Sequence, residues 1–417
     1  MSVRTAPDAL DPLASRTLVR RLPHLAVALD REAMRTRLQR LLLDGDGLVA
    51  EACARPRAEL HRDHCGFQYP LRVRTPRGER RELLVIGDMH RTPGAAASAA
   101  AATAPRPARV LEELCMAVTT FPVVAALPTL VQATDPGRIS AVLGSAVAGV
   151  DLVSLRRSGG AVLRYRLQGG REVFGKVGYT LAEDVLAALG ARTLAVAVPR
   201  LVARCTELDL VLISPVPGTR PDVRDPAGRD AAIRAGAIAA VALHRSGVGA
   251  GAAHHLEDEL ARAERALEVI DGDAAELVRR LVPAQERARD TAGRTRAQPA
   301  VLAHGDLTPS QLLVDGPQVG LVDLDGARQA EPAFDLGRFV AYLRVAAAKA
   351  GAAPTAELGA HLLEAYHTAG GPPVDERRVE AWATAALVQM AAHSWRELKA
   401  GRVRLACAVL EEPSGRA

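Results

Sequence analysis

The stretch His304–Gly326, HGDLTPSQLLVDGPQVGLVDLDG, carries four aspartates around a central turn signal flanked by apolar residues. Its pattern predicts a hairpin with Asp315, Gly316, Pro317 and Gln318 as the loop and Val314 facing Val319. Pairing then walks outward until Gln311 faces Val322, which brings Gln311 and Asp323 to the open end. Asp306, in the segment feeding the first strand, arrives at the same end. Asp315 is carried to the far tip, where it is only a turn residue. Asp325, two residues beyond Asp323 in the expected strand, points to the same side. Any single aspartate here reads as a cap or a turn. Carboxylates gathered without balancing lysines repel one another, so several converging suit a site that holds a cation or moves a proton.

H-G-D-x4-Q, then L-V-D-L-D, then EPAFDLGRF resembles the catalytic core of the aminoglycoside phosphotransferase and choline kinase-like family. That family's pattern is H-G-D-x4-N, a metal-binding Asp, then G-D-P-x-x-D. The resemblance is specific over Leu302–Phe339, looser over about Leu152–Gly218, and weak or absent over the first 110 residues. It implies a two-lobed, protein-kinase-like α+β fold that binds ATP and Mg²⁺. In that reading Asp306 accepts the proton of an acceptor hydroxyl and orients it toward the γ-phosphate. Asp323 holds Mg²⁺ on the ATP phosphates, and Asp325 is a weaker candidate ligand. Gln311 departs from the family, whose Asn ligates a second metal. Gln keeps the amide oxygen on a longer arm, which implies an altered metal shell and not an abolished one. His304 reads as a hydrogen-bonded anchor of the catalytic loop. Asp335 precedes apolar positions 336, 339, 340 and 343 and reads as a helix N-cap.

The resemblance also requires a cation for the ATP phosphates on a strand of the first lobe. Lysine occurs only at 176, 349 and 399 among 53 basic residues. Lys176, in VFGKVG, stands where the family places that lysine, and an ammonium reaches into a cleft as a point charge more easily than a forked guanidinium. The plainer alternative is a lysine at a strand end. Thr180-Leu181-Ala182-Glu183 is a capping box, which accounts for Glu183 without function; the family reading pairs Glu183 with the ATP lysine. Gly159 and Gly160, in RRSGGAV, fit either a flap over the phosphates or an ordinary hairpin turn. Ile213 and Ser214 are, by resemblance, where backbone groups would meet adenine.

These residues need elements to position them. VLRYRLQGGREVFGK reads as strand, glycine turn, strand leading to Lys176, and FQYPLRVRTPRGERRELLVIGD reads the same way leading to Asp88. LPHLAVALDREAM at Leu22 and LPTLVQATDPGRI at Leu127 share L-P-x-L and a later Asp. A duplication with a first copy that has lost its lysine and chance similarity both remain open. PGAAASAAAATAPRPAR, Pro93–Arg109, reads as a linker or frayed helix, and SPVPGTRPDVRDPAG, Ser214–Gly228, as a hinge. Beyond the hinge, three-to-four spacing of apolar residues predicts helices. His254-His255 reads as a helix start. The plan is a cap segment over 1–108, an ATP-binding lobe over 109–218 and a helical lobe with catalytic loop and acceptor site over 219–417.

Composition excludes other classes. A net charge of +5 with acid and arginine interspersed, and 3% aromatics, is a poor match to nucleic-acid binding. Five scattered cysteines argue against disulfides and a zinc site and fit a reducing, cytoplasmic setting. No apolar run is long enough for a membrane span. The expected activity is transfer of the ATP γ-phosphate to a hydroxyl of a sugar, an aminoglycoside or a related metabolite. The alternative is a catalytically inactive nucleotide-binding scaffold. Residues about Thr355–Glu412 would border the acceptor. Their arginines 377, 378 and 396 and Lys399 mix evenly with Asp375, Glu376, Glu380 and Glu397, which disfavours a cationic antibiotic.

Overall fold

The structure, a computed structural model, describes residues 10–103, 107–156, 159–179, 183–352 and 357–412. Short helices α1 (Arg16–Arg21), α2 (Leu25–Leu29) and α3 (Arg31–Leu38) precede strands β1 (Val49–Cys53), β2 (Arg57–Leu60), β3 (His64–Arg74) and β4 (Arg80–His90). Helix α4 (Pro93–Ala101), β5 (Arg109–Leu111) and β6 (Met116–Thr120) complete an antiparallel sheet ordered β1-β3-β4-β6-β5, with β2 on β3. The same sequence of elements then recurs. Helices α5 (Leu130–Ala133) and α6 (Pro136–Leu143) lead into β7 (Val147–Arg156), β8 (Gly160–Leu167), β9 (Glu172–Val177), α7 (Glu183–Gly190), β10 (Leu201–Cys205) and β11 (Leu210–Ile213). The second sheet is ordered β7-β8-β9-β11-β10.

Side chains repeat as well as topology. Tyr69 faces Val85 and Tyr165 faces Val173 across the equivalent hairpins. Each buried phenol donates to a carbonyl of the helical segment above it, Tyr69 to Ala28 at 3.0 Å and Tyr165 to Ala133 at 2.9 Å. Ala28 and Ala133 hold the same place in the two L-P-x-L segments, and the aspartates that follow, Asp30 and Asp135, N-cap the next helices. Cys115 and Asp209 both take left-handed backbone, φ 50° and 47°, between a short 3₁₀ turn and the last strand. The similarity is therefore a structural repeat. A boundary after residue 108 is corrected accordingly: β5 and β6 close the first sheet, which runs to Thr120. The alanine-rich stretch forms α4, the counterpart of α7, instead of a linker.

Past the irregular segment that leaves β11, α8 (Pro226–His244) starts at Asp225, whose carboxylate caps Gly228, with Pro226 in the first turn. Short β12 (Ala253–His254) precedes α9 (Leu256–Arg294), which His255 caps as expected and which kinks at Ala274. After β13 (Val301–Ala303) come the hairpin β14 (Leu312–Asp315) and β15 (Gln318–Leu321), then β16 (Arg328–Ala330). Helices α10 (Ala333–Lys349), α11 (Glu357–Thr368), α12 (Glu376–Arg396) and α13 (Ala400–Glu411) finish the helical lobe. One core joins α8, α10, α11 and α12 to β11, α7 and the hairpin. A second packs the first repeat on α9, the end of α12 and α13. The second repeat keeps its own core beneath α5 and α6. This is the expected α+β plan of a strand-rich lobe and a mostly helical lobe, with an added α/β unit in front. No helix among the described residues is long and apolar enough to cross a membrane.

Candidate active site

The hairpin forms in the expected register, with Val314 on Val319 and Leu312 on Leu321. Asp315 pairs with Gln318, so the loop tightens to Gly316-Pro317. The Val322 amide donates to the Gln311 carbonyl at 3.0 Å, holding the open end together. The strand stops there. Asp323 takes left-handed backbone, φ 66°, and Leu324–Gly326 form a 3₁₀ turn. Strand alternation is thus not what brings Asp325 beside Asp323; the sharp turn does. Such backbone is uncommon for a residue with a Cβ and clusters at functional sites.

Both carboxylates receive the same ammonium from the other lobe. Lys176 Nζ lies 2.7 Å from Asp323 and 2.6 Å from Asp325, with its side chain 7% exposed. Asp323 stays below the usual carboxylate range because Lys176 and neighbouring hydrogen bonds outweigh burial. Asp325 is pushed up to about 6 by burial, against the pull of Lys176, with the Asp323 charge adding to the rise. Gln311 Nε2 stands 3.3 Å from Asp323, and Arg156 3.4 Å from the same oxygen. Tyr179 lies beneath both cations, 4.8 Å from Arg156 and 5.1 Å from Lys176. Two carboxylates already sharing one cation, with an amide beside them, form an oxygen-rich donor set that suits a divalent ion. Asp323 and Asp325 could hold such an ion, and Gln311, whose amide nitrogen now faces Asp323, could add its oxygen by turning the amide over.

Asp306 sits on a loop fastened from two directions. His304 Nδ1 accepts the Asp306 amide at 3.2 Å, so its Nε2 carries the proton and donates to the Val322 carbonyl at 2.9 Å. The anchoring role read for His304 is what the geometry provides. Asp335 corrects the sequence reading. It is no N-cap: α10 starts two residues earlier, and the fully buried Asp335 carboxylate accepts the amides of His304 at 2.7 Å and Gly305 at 3.1 Å. His244 adds a third contact at 3.3 Å. These contacts outweigh desolvation and keep Asp335 below the usual carboxylate range. Gly305, φ 82°, packs so tightly that a Cβ would lie 1.9 Å from the Gly326 carbonyl, locking this loop to the Asp325 turn. One helical turn after Asp335, Arg338 donates to Asp306 at 2.7 Å. Burial opposes Arg338's charge, but Asp306 more than compensates and holds its pKa above the usual arginine value.

Other expected residues fall differently. Glu183 pairs with Arg204 at 2.8 Å and not with Lys176, because Lys176 is engaged by the two aspartates; Thr180 of the capping box lies outside the described residues. Ser214 is turned toward its own lobe, its amide donating to the Arg200 carbonyl and its hydroxyl accepting from the Arg200 amide at 3.0 Å. Ile213 is buried between Leu201 and Phe174 in the sheet. Gly159 and Gly160 lie at the β7–β8 connection and line a cleft of about 370 Å³ together with Asp306, Asp323 and Asp325. Gly160 is close-packed, since a Cβ would stand 2.9 Å from the Tyr179 ring. Both earlier readings of the glycines, flap and hairpin turn, are compatible with that position. Sequence reasoning passed over Arg156, Tyr179, Arg328 and Arg338. Only Arg338 left a signal, an i, i+3 spacing from Asp335 that puts both on the loop side of α10.

Residues 180–384 match the model of the phosphotransferase enzyme family. The match covers just under half of the chain. No curated protein matches the chain. Among solved structures, macrolide 2'-phosphotransferase MphH from Brachybacterium faecium is 20% identical over 67% of this chain and 97% of its own, with a TM-score of 0.43. A choline/ethanolamine kinase family protein from Mesorhizobium loti is 17% identical over 68% of this chain and 96% of its own, with a TM-score of 0.49. Aminoglycoside phosphotransferase APH(3'')-Id from Streptomyces rimosus is 21% identical over 59% and 94%, with a TM-score of 0.41.

Proposed function

We propose that this phosphotransferase moves the γ-phosphoryl group of ATP to a hydroxyl of a small molecule. The observation that carries the reading is the contact of Lys176, from the strand-rich lobe, with Asp323 and Asp325 of the helical lobe, beside a loop that presents Asp306. Asp306 is suited to accept the hydroxyl proton as the acceptor oxygen forms its bond to phosphorus and the bond from that phosphorus to ADP breaks. Arg338 and the Asp335 anchor keep that carboxylate aimed into the cleft. Lys176 is the cation placed to neutralise phosphate oxygens. When bound, Mg²⁺ supplies further positive charge against the triphosphate, and Asp323, Asp325 and Gln311 are the residues that would hold it.

The test is Mg·ATP consumption across a panel of hydroxyl compounds. Asp306→Asn is expected to lower the acceptor-stimulated rate by about a hundredfold or more while nucleotide still binds. Consumption that ignores acceptors and is the same in wild type and Asp306→Asn would leave a nucleotide-binding scaffold in place of an enzyme.

A further inference from the structure

Among the described residues, and beyond the carboxylates at 306, 323 and 325, every charged side chain lining the cleft is an arginine: 156, 262, 328 and 338. Arg156 stands with Tyr179 and Asp323. The other three gather near Asp306. Arg338 holds Asp306 directly and, like Arg262, approaches the buried Glu259, at 3.7 and 3.9 Å. Glu259 also receives His254 at 2.9 Å and Gln389 at 2.8 Å. Arg328 packs against Gly305, and its Nε donates to the Gly326 carbonyl at 2.8 Å. Its two terminal nitrogens meet no acceptor among the described residues. Burial first, then repulsion from Arg262, pushes Arg328 below the usual arginine pKa. Three guanidiniums thus stand among the carboxylates of Asp306, Glu259 and Asp335, and Arg328 keeps its bidentate edge open.

A cationic acceptor would find Asp306, Glu259 and Asp335 already partnered. An oxyanion would find a planar fork of the right shape, in a site that burial makes electrostatically sensitive. Resting on the phosphotransferase reading, we propose that the acceptor is itself anionic: a small hydroxyl compound whose carboxylate or phosphate group is bound by Arg328 and Arg262 while its hydroxyl meets Asp306.

Inorganic sulfate probes the site without a turnover assay. With Mg·AMP-PNP saturating the nucleotide site, sulfate should raise the melting temperature of the wild type and fail to do so in Arg328→Gln. Arg262→Gln, at an exposed side chain, serves as a second variant if Arg328→Gln is unstable. No sulfate effect, or an equal one in wild type and variants, overturns the proposal. In the turnover panel, hydroxy acids and phosphorylated sugars should exceed matched neutral and amino compounds in kcat/KM by about tenfold or more, the scale of hydrogen bonds to charged groups. Arg328→Gln should raise KM for the anionic acceptor and leave KM for ATP unchanged. An amine as the best acceptor also overturns the proposal. If sulfate binds as described and no compound is phosphorylated, the anion site stands and the phosphotransferase reading falls.

Discussion

Asp88 and Lys176 occupy one position in two sheets of the same build. Asp88 faces Ala117 on β6 and Lys176 faces Val211 on β11, each one residue after a glycine. The two sheets therefore share a frame and carry opposite charges at one position, and in the proposed function only the Lys176 copy offers positive charge to a triphosphate. Lys176→Met should weaken ATP binding at least about tenfold, while Asp88→Ala should change it less than twofold, read by nucleotide titration. The Lys176 variant also leaves two half-buried carboxylates facing each other, so its melting temperature should fall and be partly restored by Mg²⁺. Equal loss of ATP affinity in both variants would contradict the division of labour between the sheets.

The glycine before each of these residues is required by packing. A Cβ on Gly175 would lie 2.6 Å from the Tyr165 ring and 2.8 Å from Leu210; on Gly87 it would lie 2.6 Å from the Met116 sulfur and 3.3 Å from Tyr69. Alanine at either site should cost roughly 1–3 kcal/mol in denaturant unfolding. Gly175→Ala should cost more, because an unbranched methionine yields more readily than an aromatic ring. A neutral result at both sites would mean the two sheets are looser than their shared Tyr-to-carbonyl hydrogen bonds indicate.

The site was readable in the sequence wherever a short motif set its geometry. Val314 and Val319 announced the hairpin register, and register alone brought Gln311 and Asp323 together. The position of Lys176 followed from lysine scarcity and from family resemblance. What escaped was tertiary. Asp335 looked like a cap because a cap and a loop anchor carry the same residue at nearly the same distance from a helix start, and a shift of three residues in the start of α10 separates them. Glu183 could not be assigned because its partner, Arg204, lies across a strand pairing that no local pattern encodes. The repeat was uncertain because its evidence, the equivalence of Tyr69 with Tyr165, appears only when registers are compared.

Gln311 places its amide 3.3 Å from Asp323, within reach of the cation that Asp323 would share. Gln311→Asn withdraws that amide by one methylene without altering its chemistry, and Gln311→Ala removes it. The Mg²⁺ concentration for half-maximal turnover should rise severalfold in the first and by about tenfold or more in the second, with kcat recoverable at high Mg²⁺ for the asparagine variant. An Mg²⁺ dependence unchanged in both would exclude Gln311 from the metal shell.

Asp335 ties the acid limb of stability to the catalytic loop. Its pKa in the folded protein is lower than in the unfolded chain, where an aspartate titrates near 4. The unfolded state therefore binds the proton more readily. The stabilisation is fully present above about pH 4 and is lost as pH falls through the folded pKa. Asp335→Asn cannot offer two acceptors to the His304 and Gly305 amides and presents an NH₂ to one of them. It should cost about 3 kcal/mol at pH 7. Because the variant lacks the titrating group, the gap between the two denaturation curves should narrow as pH drops below about 4. Turnover should fall together with stability, through kcat more than through KM for ATP, since the displaced loop carries Asp306 and not Lys176. A gap that stays constant down to pH 2 would show that the Asp335 carboxylate is not what holds the loop.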